Sequence, residues 1–220
     1  MRSKGMEIVS DFDGTIVNID TVEYLLDRFA NGDWRRYDDL YERSEIPLEE
    51  CLLRQYEMIK EPERKLIDAL DNVVSFRDGF DELVSFTKKE GIAFTIASAG
   101  LDFVIRHLLS CKKVQDQFTI FVPKSKFTSR GIVLDFSMLP VAASSNFKGN
   151  VVQTIKARST GVAYIGDGFS DFEAIKEANV RFVIKGSRLD KKCAKYGVMC
   201  HEINGLEEVI RYLVGSGTTA

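Results

Sequence analysis

Two short acidic runs carry the residue types for metal-assisted chemistry on an anionic substrate. The first is Asp11-Phe12-Asp13-Gly14-Thr15 and the second is Gly166-Asp167-Gly168-Phe169-Ser170-Asp171. Two carboxylates two residues apart at the end of a strand can converge on one pocket, and Gly14 permits an unusual backbone conformation beside them. Taken singly, each run reads as well as a polar turn or a helix cap. Taken together they crowd like charges, which repel strongly in a partly dry site unless a cation sits among them. Oxygen donors with no His or Cys nearby point to Mg²⁺. Ser98 in TIASAG is either a helix N-cap or a hydroxyl donor to a phosphoryl oxygen, helped by amides at the helix start. Lys148 in NFKGN opens a helix, where a cation opposes the local dipole and makes sense only beside something negative.

These four features need a scaffold that brings them together. Each follows a strand in the sequence pattern, and ligand sites of parallel α/β sheets form at those carboxyl ends. Residues 6–10 read as a buried strand. Residues 19–75 read as helical and charged, with Leu25, Leu26 and Phe29, then Leu52, Tyr56 and Ile59, at helical spacing. Pro47 and Pro62 stand where helices can begin. From residue 78 the pattern alternates: helix 78–90 stopping at Gly91, strand 92–97, helix 101–111, strand 118–122 and a minor strand 131–136. Helix 148–158, strand 161–166, helix 170–178, strand 180–184 and helices 188–195 and 205–213 follow. The expectation is a doubly wound α/β fold with a mainly parallel, Rossmann-like sheet. Residues 1–17 and 77–214 would form its catalytic core, 18–76 a small all-helical cap domain, and 215–220 a disordered tail.

The composition excludes several function classes. Of 220 residues, 45 % are hydrophobic and 29 % charged, enough for a sizeable core without staples. The net charge of −3 offers no broad attraction for nucleic acid or acidic membranes, and the basic pairs are scattered. Cys51, Cys111, Cys193 and Cys200 form no CxxC or Cys/His cluster, so free thiols in a reducing cytosol are expected and zinc is not. No apolar run is long enough for a membrane span, and no signal-peptide core follows the N-terminus. A cytoplasmic protein is the expectation.

The motifs DFDGTI, Ser98, Lys148 and GDGFSD, in this order, resemble the haloacid dehalogenase superfamily of phosphatases over residues 6 to about 185. The resemblance implies a Mg²⁺-dependent phosphomonoester hydrolase acting on a small phosphorylated metabolite through an aspartyl-phosphate. In that scheme Asp11 is the nucleophile and Asp13 the general acid and base. Mg²⁺ is held by the Asp11 carboxylate, the Asp13 carbonyl and Asp167, with Asp171 as an indirect ligand. Ser98 and Lys148 hold the phosphoryl oxygens. Ala99 and Gly100 beside Ser98, and Asp20, Glu23 and Arg54 from the cap, are the candidate substrate contacts. An acid-rich helix start and a surface ion pair are the plain readings of those three. Neither His107 nor His201 is needed.

Two branches of the superfamily are similar to this chain. Phosphoserine phosphatases share the opening and fourth motifs, but Asp20 stands where they place a glutamate, and Gln55 where they place a cap arginine. The methionine-salvage phosphatases for 2-hydroxy-3-keto-5-methylthiopentenyl-1-phosphate share GDW, Arg54 and SAGLDF, but their cysteine-rich segment is missing here. A phosphotransferase or mutase, and a binding-only relative, remain the rival readings; intact Asp11, Asp13, Lys148 and Asp167 speak against the second.

Overall fold

The computed structural model describes residues 5–215. The expected tail at 215–220 therefore lies outside the described residues, apart from Gly215, which closes the last helix. Six strands form one parallel sheet: β1 (Met6–Ser10), β2 (Phe94–Ala97), β3 (Phe118–Phe121), β6 (Gly161–Gly166), β7 (Val180–Ile184) and β8 (His201–Ile203). Their order is β3-β2-β1-β6-β7-β8, which puts β1 and β6 side by side at the centre. A separate antiparallel hairpin joins β4 (Lys124–Thr128) to β5 (Gly131–Asp135).

The strand residues alternate between two apolar layers, as a period of two requires for a sheet covered on both faces. Ile8, Ala163, Ile165 and Phe182 face one layer. Val9, Val162, Tyr164 and Val183 face the other. The first layer is completed by α5 (Phe80–Glu90), α6 (Asp102–Cys111) and α10 (Glu207–Gly215). The second is completed by α7 (Phe147–Lys156), α8 (Phe172–Glu177) and α9 (Arg188–Tyr196).

Four helices fill the segment between β1 and α5: α1 (Thr21–Phe29), α2 (Arg35–Glu42), α3 (Leu48–Tyr56) and α4 (Glu63–Leu70). Pro47 and Pro62 directly precede α3 and α4, where a missing N–H costs nothing. The chain enters and leaves this segment as a paired neck: Val17 bridges Phe76, and the Asn18 N–H donates to the Ser75 carbonyl. Leu25, Leu52, Tyr56 and Leu66 are buried in the same apolar layer as Ile8, so the segment packs directly on the sheet.

Two strands escaped the sequence pattern. β4 (KSKFT) is mostly exposed and lies outside the main sheet, so nothing apolar marks it. β8 is three residues long at the sheet edge, too short to show a period. The last turn before α8 is a single 3₁₀ turn over Phe169–Asp171. No helix among the described residues is long and apolar enough to cross a membrane.

Candidate active site

The site sits at the carboxyl ends of β1, β2 and β6. The Asp11 N–H donates to the Ile165 carbonyl, which carries the β1–β6 ladder one residue beyond the strand and sets Asp11 beside Asp167. The chain then turns sharply: the N–H groups of Thr15, Ile16 and Val17 converge on the Phe12 carbonyl. Gly14 takes a left-handed conformation, with φ of 66°. A Cβ there would lie 2.2 Å from Asp167 Oδ2, so glycine is required twice over. Arg77 fastens this turn by donating to the Thr15 carbonyl at 2.7 Å and to the Gly14 carbonyl. The sequence pattern gave no sign of that role, because Arg77 lies 62 residues from its partner.

Lys148 and Asp171 form the buried centre. The Lys148 ammonium is 2.8 Å from Asp11 Oδ2 and 2.7 Å from Asp171 Oδ1, with essentially no solvent contact. Burial opposes its charge, but Asp11 and Asp171 outweigh burial and hold its pKa above the ordinary lysine value. Asp171 is hydrogen-bonded at both carboxylate oxygens. Its Oδ1 also accepts from the Tyr164 hydroxyl at 2.6 Å, and its Oδ2 accepts from the N–H groups of Asp167 and Gly168. It is an anchor for the lysine and for the Asp167 loop.

Asp13 is a buried carboxyl with one satisfied oxygen. Thr21 donates to Oδ1 through both its N–H and its hydroxyl. Oδ2 is buried without any hydrogen-bond partner. A Cβ on Gly100 would lie 2.3 Å from that oxygen, so Gly100 leaves it room. Burial first, then repulsion from Asp20, raises the Asp13 carboxyl to about 7 against the opposing Thr21 bonds. Ser98 is fully buried and accepts the Gly100 N–H at 3.0 Å through Oγ. It does not cap α6, which begins four residues later at Asp102. Its hydroxyl proton is thus available to a ligand.

Asp11, Asp167 and Asp171 each place one carboxylate oxygen within 4.8 Å of the others. The Asp13 side chain is not part of that group. Burial, then repulsion from Asp171, pushes the Asp11 carboxyl well up despite Lys148. The same two causes raise Asp167 to about 7 despite the hydrogen bond from Thr15. Carboxylates driven toward protonation by burial and then by their own crowding, with only oxygen donors in reach, fit a hard divalent cation.

A stability prediction follows from these shifts. A carboxyl whose folded pKa lies above its unfolded value stabilises the fold at low pH and loses that contribution as pH rises through the folded value. Asp13 and Asp167 place this window between about pH 4 and about pH 7. A divalent cation in the cluster competes with the proton on Asp167. Thermal unfolding with Mg²⁺ should therefore show a clearly larger gain over chelated protein at pH 8 than at pH 5.5. Equal gains at both pH values would mean that the cation does not bind this cluster.

The carboxylates open into a cavity lined by both the sheet ends and α1–α3. Asp11, Asp13, Ser98, Ala99, Gly100, Lys148 and Asp167 all line it, and so do Asp20 and Glu23. Asp20 also caps α1, accepting the Glu23 N–H at 2.8 Å. Arg54 does not join them. It points outward, more than half exposed, and pairs with Glu50 one helical turn away. Its neighbour Gln55 is the one that turns inward, buried and donating to Asp38 at 2.8 Å. The 3.6-residue period explains the exchange: positions 51, 52, 55 and 56 share the buried face of α3. The cavity also contains Phe169 of the second acidic run, and Asp38, Tyr41 and Arg188, which carried no motif. His107 and His201 lie outside the cavity; His201 packs on Phe182 and Tyr212.

A model of haloacid dehalogenase-like hydrolases matches residues 8–176. The chain is 28 % identical over 195 residues to the 2-hydroxy-3-keto-5-methylthiopentenyl-1-phosphate phosphatase of Geobacillus thermodenitrificans, covering 86 % of this chain and 87 % of the relative. It is 27 % identical over 211 residues to the bifunctional enzyme MtnB/MtnX of Bacillus licheniformis. That match takes in 94 % of this chain but 48 % of the relative, so the chain spans about half of that enzyme's length. A phosphoserine phosphatase structure with an analogue of its phospho-aspartyl intermediate superposes with a TM-score of 0.71, covering 96 % of this chain and 99 % of that one. At 19 % identity, that likeness is one of fold.

Proposed function

This chain belongs to the haloacid dehalogenase-like hydrolases, and from that premise we propose that it is a phosphatase releasing phosphate from a small phosphorylated metabolite through phosphorylated Asp11. The observation that carries the reading is Asp13. It is a buried carboxyl in the lining of the same cavity as Asp11, with one oxygen free of hydrogen bonds and a pKa near neutrality that keeps a proton within reach.

Asp11 is held for in-line attack by the Phe12 N–H on Oδ1, at 2.7 Å, and by Lys148 on Oδ2. As its carboxylate bonds to phosphorus, Asp13 gives its Oδ2 proton to the departing alkoxide. Asp13, now ionised, takes a proton from the water that hydrolyses the aspartyl-phosphate. Ser98 donates its hydroxyl to a phosphoryl oxygen, and Lys148 offsets negative charge there. We assign Mg²⁺ to Asp11 and Asp167, with Asp171 fixing Asp167 from behind; the ion supplies positive charge that lets an anionic nucleophile approach an anionic ester.

The helical segment 18–76 acts as a cap on this site. Tyr56 of α3 donates to the Ala99 carbonyl at 2.7 Å, and Glu49 accepts the Phe147 N–H that opens α7. The paired neck at residues 17–18 and 75–76 is its hinge. The names of the relatives support 2-hydroxy-3-keto-5-methylthiopentenyl-1-phosphate as the substrate. The four free cysteines suit a reducing compartment and support a cytoplasmic location.

A phosphate-release screen over phosphorylated metabolites, including that compound, tests the reading. Release with Mg²⁺ and none with chelator is expected, with the thioether substrate among the highest in kcat/KM. Release without an added acceptor counts against a phosphotransferase. No phosphate from any compound would overturn the proposal.

A further inference from the structure

The cap end of the cavity is built from charges that no part of the phosphoryl chemistry uses. Resting on the phosphatase reading, we infer that Asp20, Glu23 and Asp38, with Arg188 tied to them, form a charge filter that admits an uncharged or cationic alcohol and rejects one bearing a carboxylate.

Lys148 and Arg188 are the cations lining the cavity among the described residues. Lys148 is committed to Asp11 and Asp171. Arg188 reaches from the start of α9 across to the cap, bonding Glu23 Oε1 at 2.9 Å and Glu42, with Asp38 Oδ2 at 3.9 Å. Both of its terminal nitrogens already serve carboxylates of this chain. Recognition of a substrate carboxylate needs a free guanidinium fork or equivalent donors, and Arg54 faces away. A carboxylate entering here would instead meet three acidic side chains. Three carboxylates, Asp20, Glu23 and Asp38, face the single guanidinium of Arg188 at this end of the cavity. The rest of the cap surface, from Leu26, Trp34, Leu48 and Leu52, suits an uncharged chain. Asp13, whose buried Oδ2 has no hydrogen-bond partner, lines the same cavity. A substrate with hydroxyl, keto and thioether groups passes this filter; phosphoserine does not.

The test compares phosphoethanolamine with phosphoserine, which differ by one carboxylate, and uses 4-nitrophenyl phosphate as a reference for turnover. With Mg²⁺, kcat/KM should favour phosphoethanolamine by about tenfold or more. The Glu23→Gln/Asp38→Asn double variant should narrow that ratio to about threefold or less, while Arg188→Ala leaves or widens it. The ratio is taken within one variant, so a loss of folded protein cancels. Turnover of the aryl phosphate with phosphoserine equal or better, or with Arg188→Ala lowering phosphoserine selectively, overturns the filter alone. In the second case Arg188 would be receiving the substrate carboxylate. Release confined to other compounds of the metabolite screen, with none from these three, overturns the filter alone; no release from any compound overturns the phosphatase reading and the filter with it.

Discussion

Asp11→Asn should abolish phosphate release while leaving the protein at least as stable as before. The amide is nearly isosteric, and its single oxygen can accept from the Phe12 N–H or from Lys148, but not from both as the carboxylate does. It cannot attack phosphorus, and loss of a nucleophile costs about 10⁴-fold or more in turnover. Stability moves the other way. Burial and repulsion from Asp171 already strain the Asp11 charge beyond what Lys148 returns. Removing that charge leaves Lys148 paired with Asp171 at 2.7 Å. The unfolding temperature should stay level or rise by a few degrees, about 2–4 °C per kcal/mol for a chain of this size. The Mg²⁺-induced gain in unfolding temperature should shrink, since one of the carboxylates is lost. Phosphate-release kinetics and thermal unfolding on the same preparation check all three. Wild-type turnover in this variant would remove Asp11 from the mechanism.

Lys148→Met should be the most damaging single change to the fold. The side chain lies between two buried carboxylates that it alone neutralises directly. Truncating one partner of a buried ion pair costs about 3–5 kcal/mol, because the remaining charge stays buried and unpaired. At 2–4 °C per kcal/mol the unfolding temperature should drop by roughly 10 °C. Asp171 keeps its hydrogen bonds from Tyr164 and two backbone amides, but these do not replace a full charge. Adding Asp171→Asn should recover part of the loss, as a double-mutant cycle would measure. Turnover should fall by about 10²-fold or more in both forms, because the phosphoryl charge loses its ammonium partner. A Lys148→Met protein that unfolds at the wild-type temperature would show that the triad is not under electrostatic load.

The two effects share one cause. The site concentrates negative charge where a doubly wound sheet delivers strand ends from distant parts of the chain, and the fold tolerates it through one buried lysine, a set of backbone amides and a cation. In the proposed mechanism catalysis uses the same imbalance: a nucleophile, an acid near neutrality and a cation-binding carboxylate arise from similar aspartates in three different surroundings.

Much of this was legible in the chain itself. Apolar runs of strand length fixed β1, β6 and β7 to the residue, because fully buried parallel strands leave little choice of composition. Gly91 ended α5, and Pro47 and Pro62 opened α3 and α4, through local backbone geometry that needs no tertiary partner. The strand-end placement of Asp11, Asp13, Ser98 and Asp167 followed from the alternation of elements, and all four line one cavity. What the chain could not disclose depends on which way a helix face turns and on partners far away in sequence. Arg54 and Gln55 are adjacent, yet one meets solvent and the other the cavity, because a 100° step around α3 decides between them. Arg188 has no motif; its partners lie 165 and 146 residues away, and only the packing of cap on sheet brings them into reach. Residue types and local spacing set the chemistry, whereas the choice of substrate rests on side chains whose direction is fixed only when the layers close.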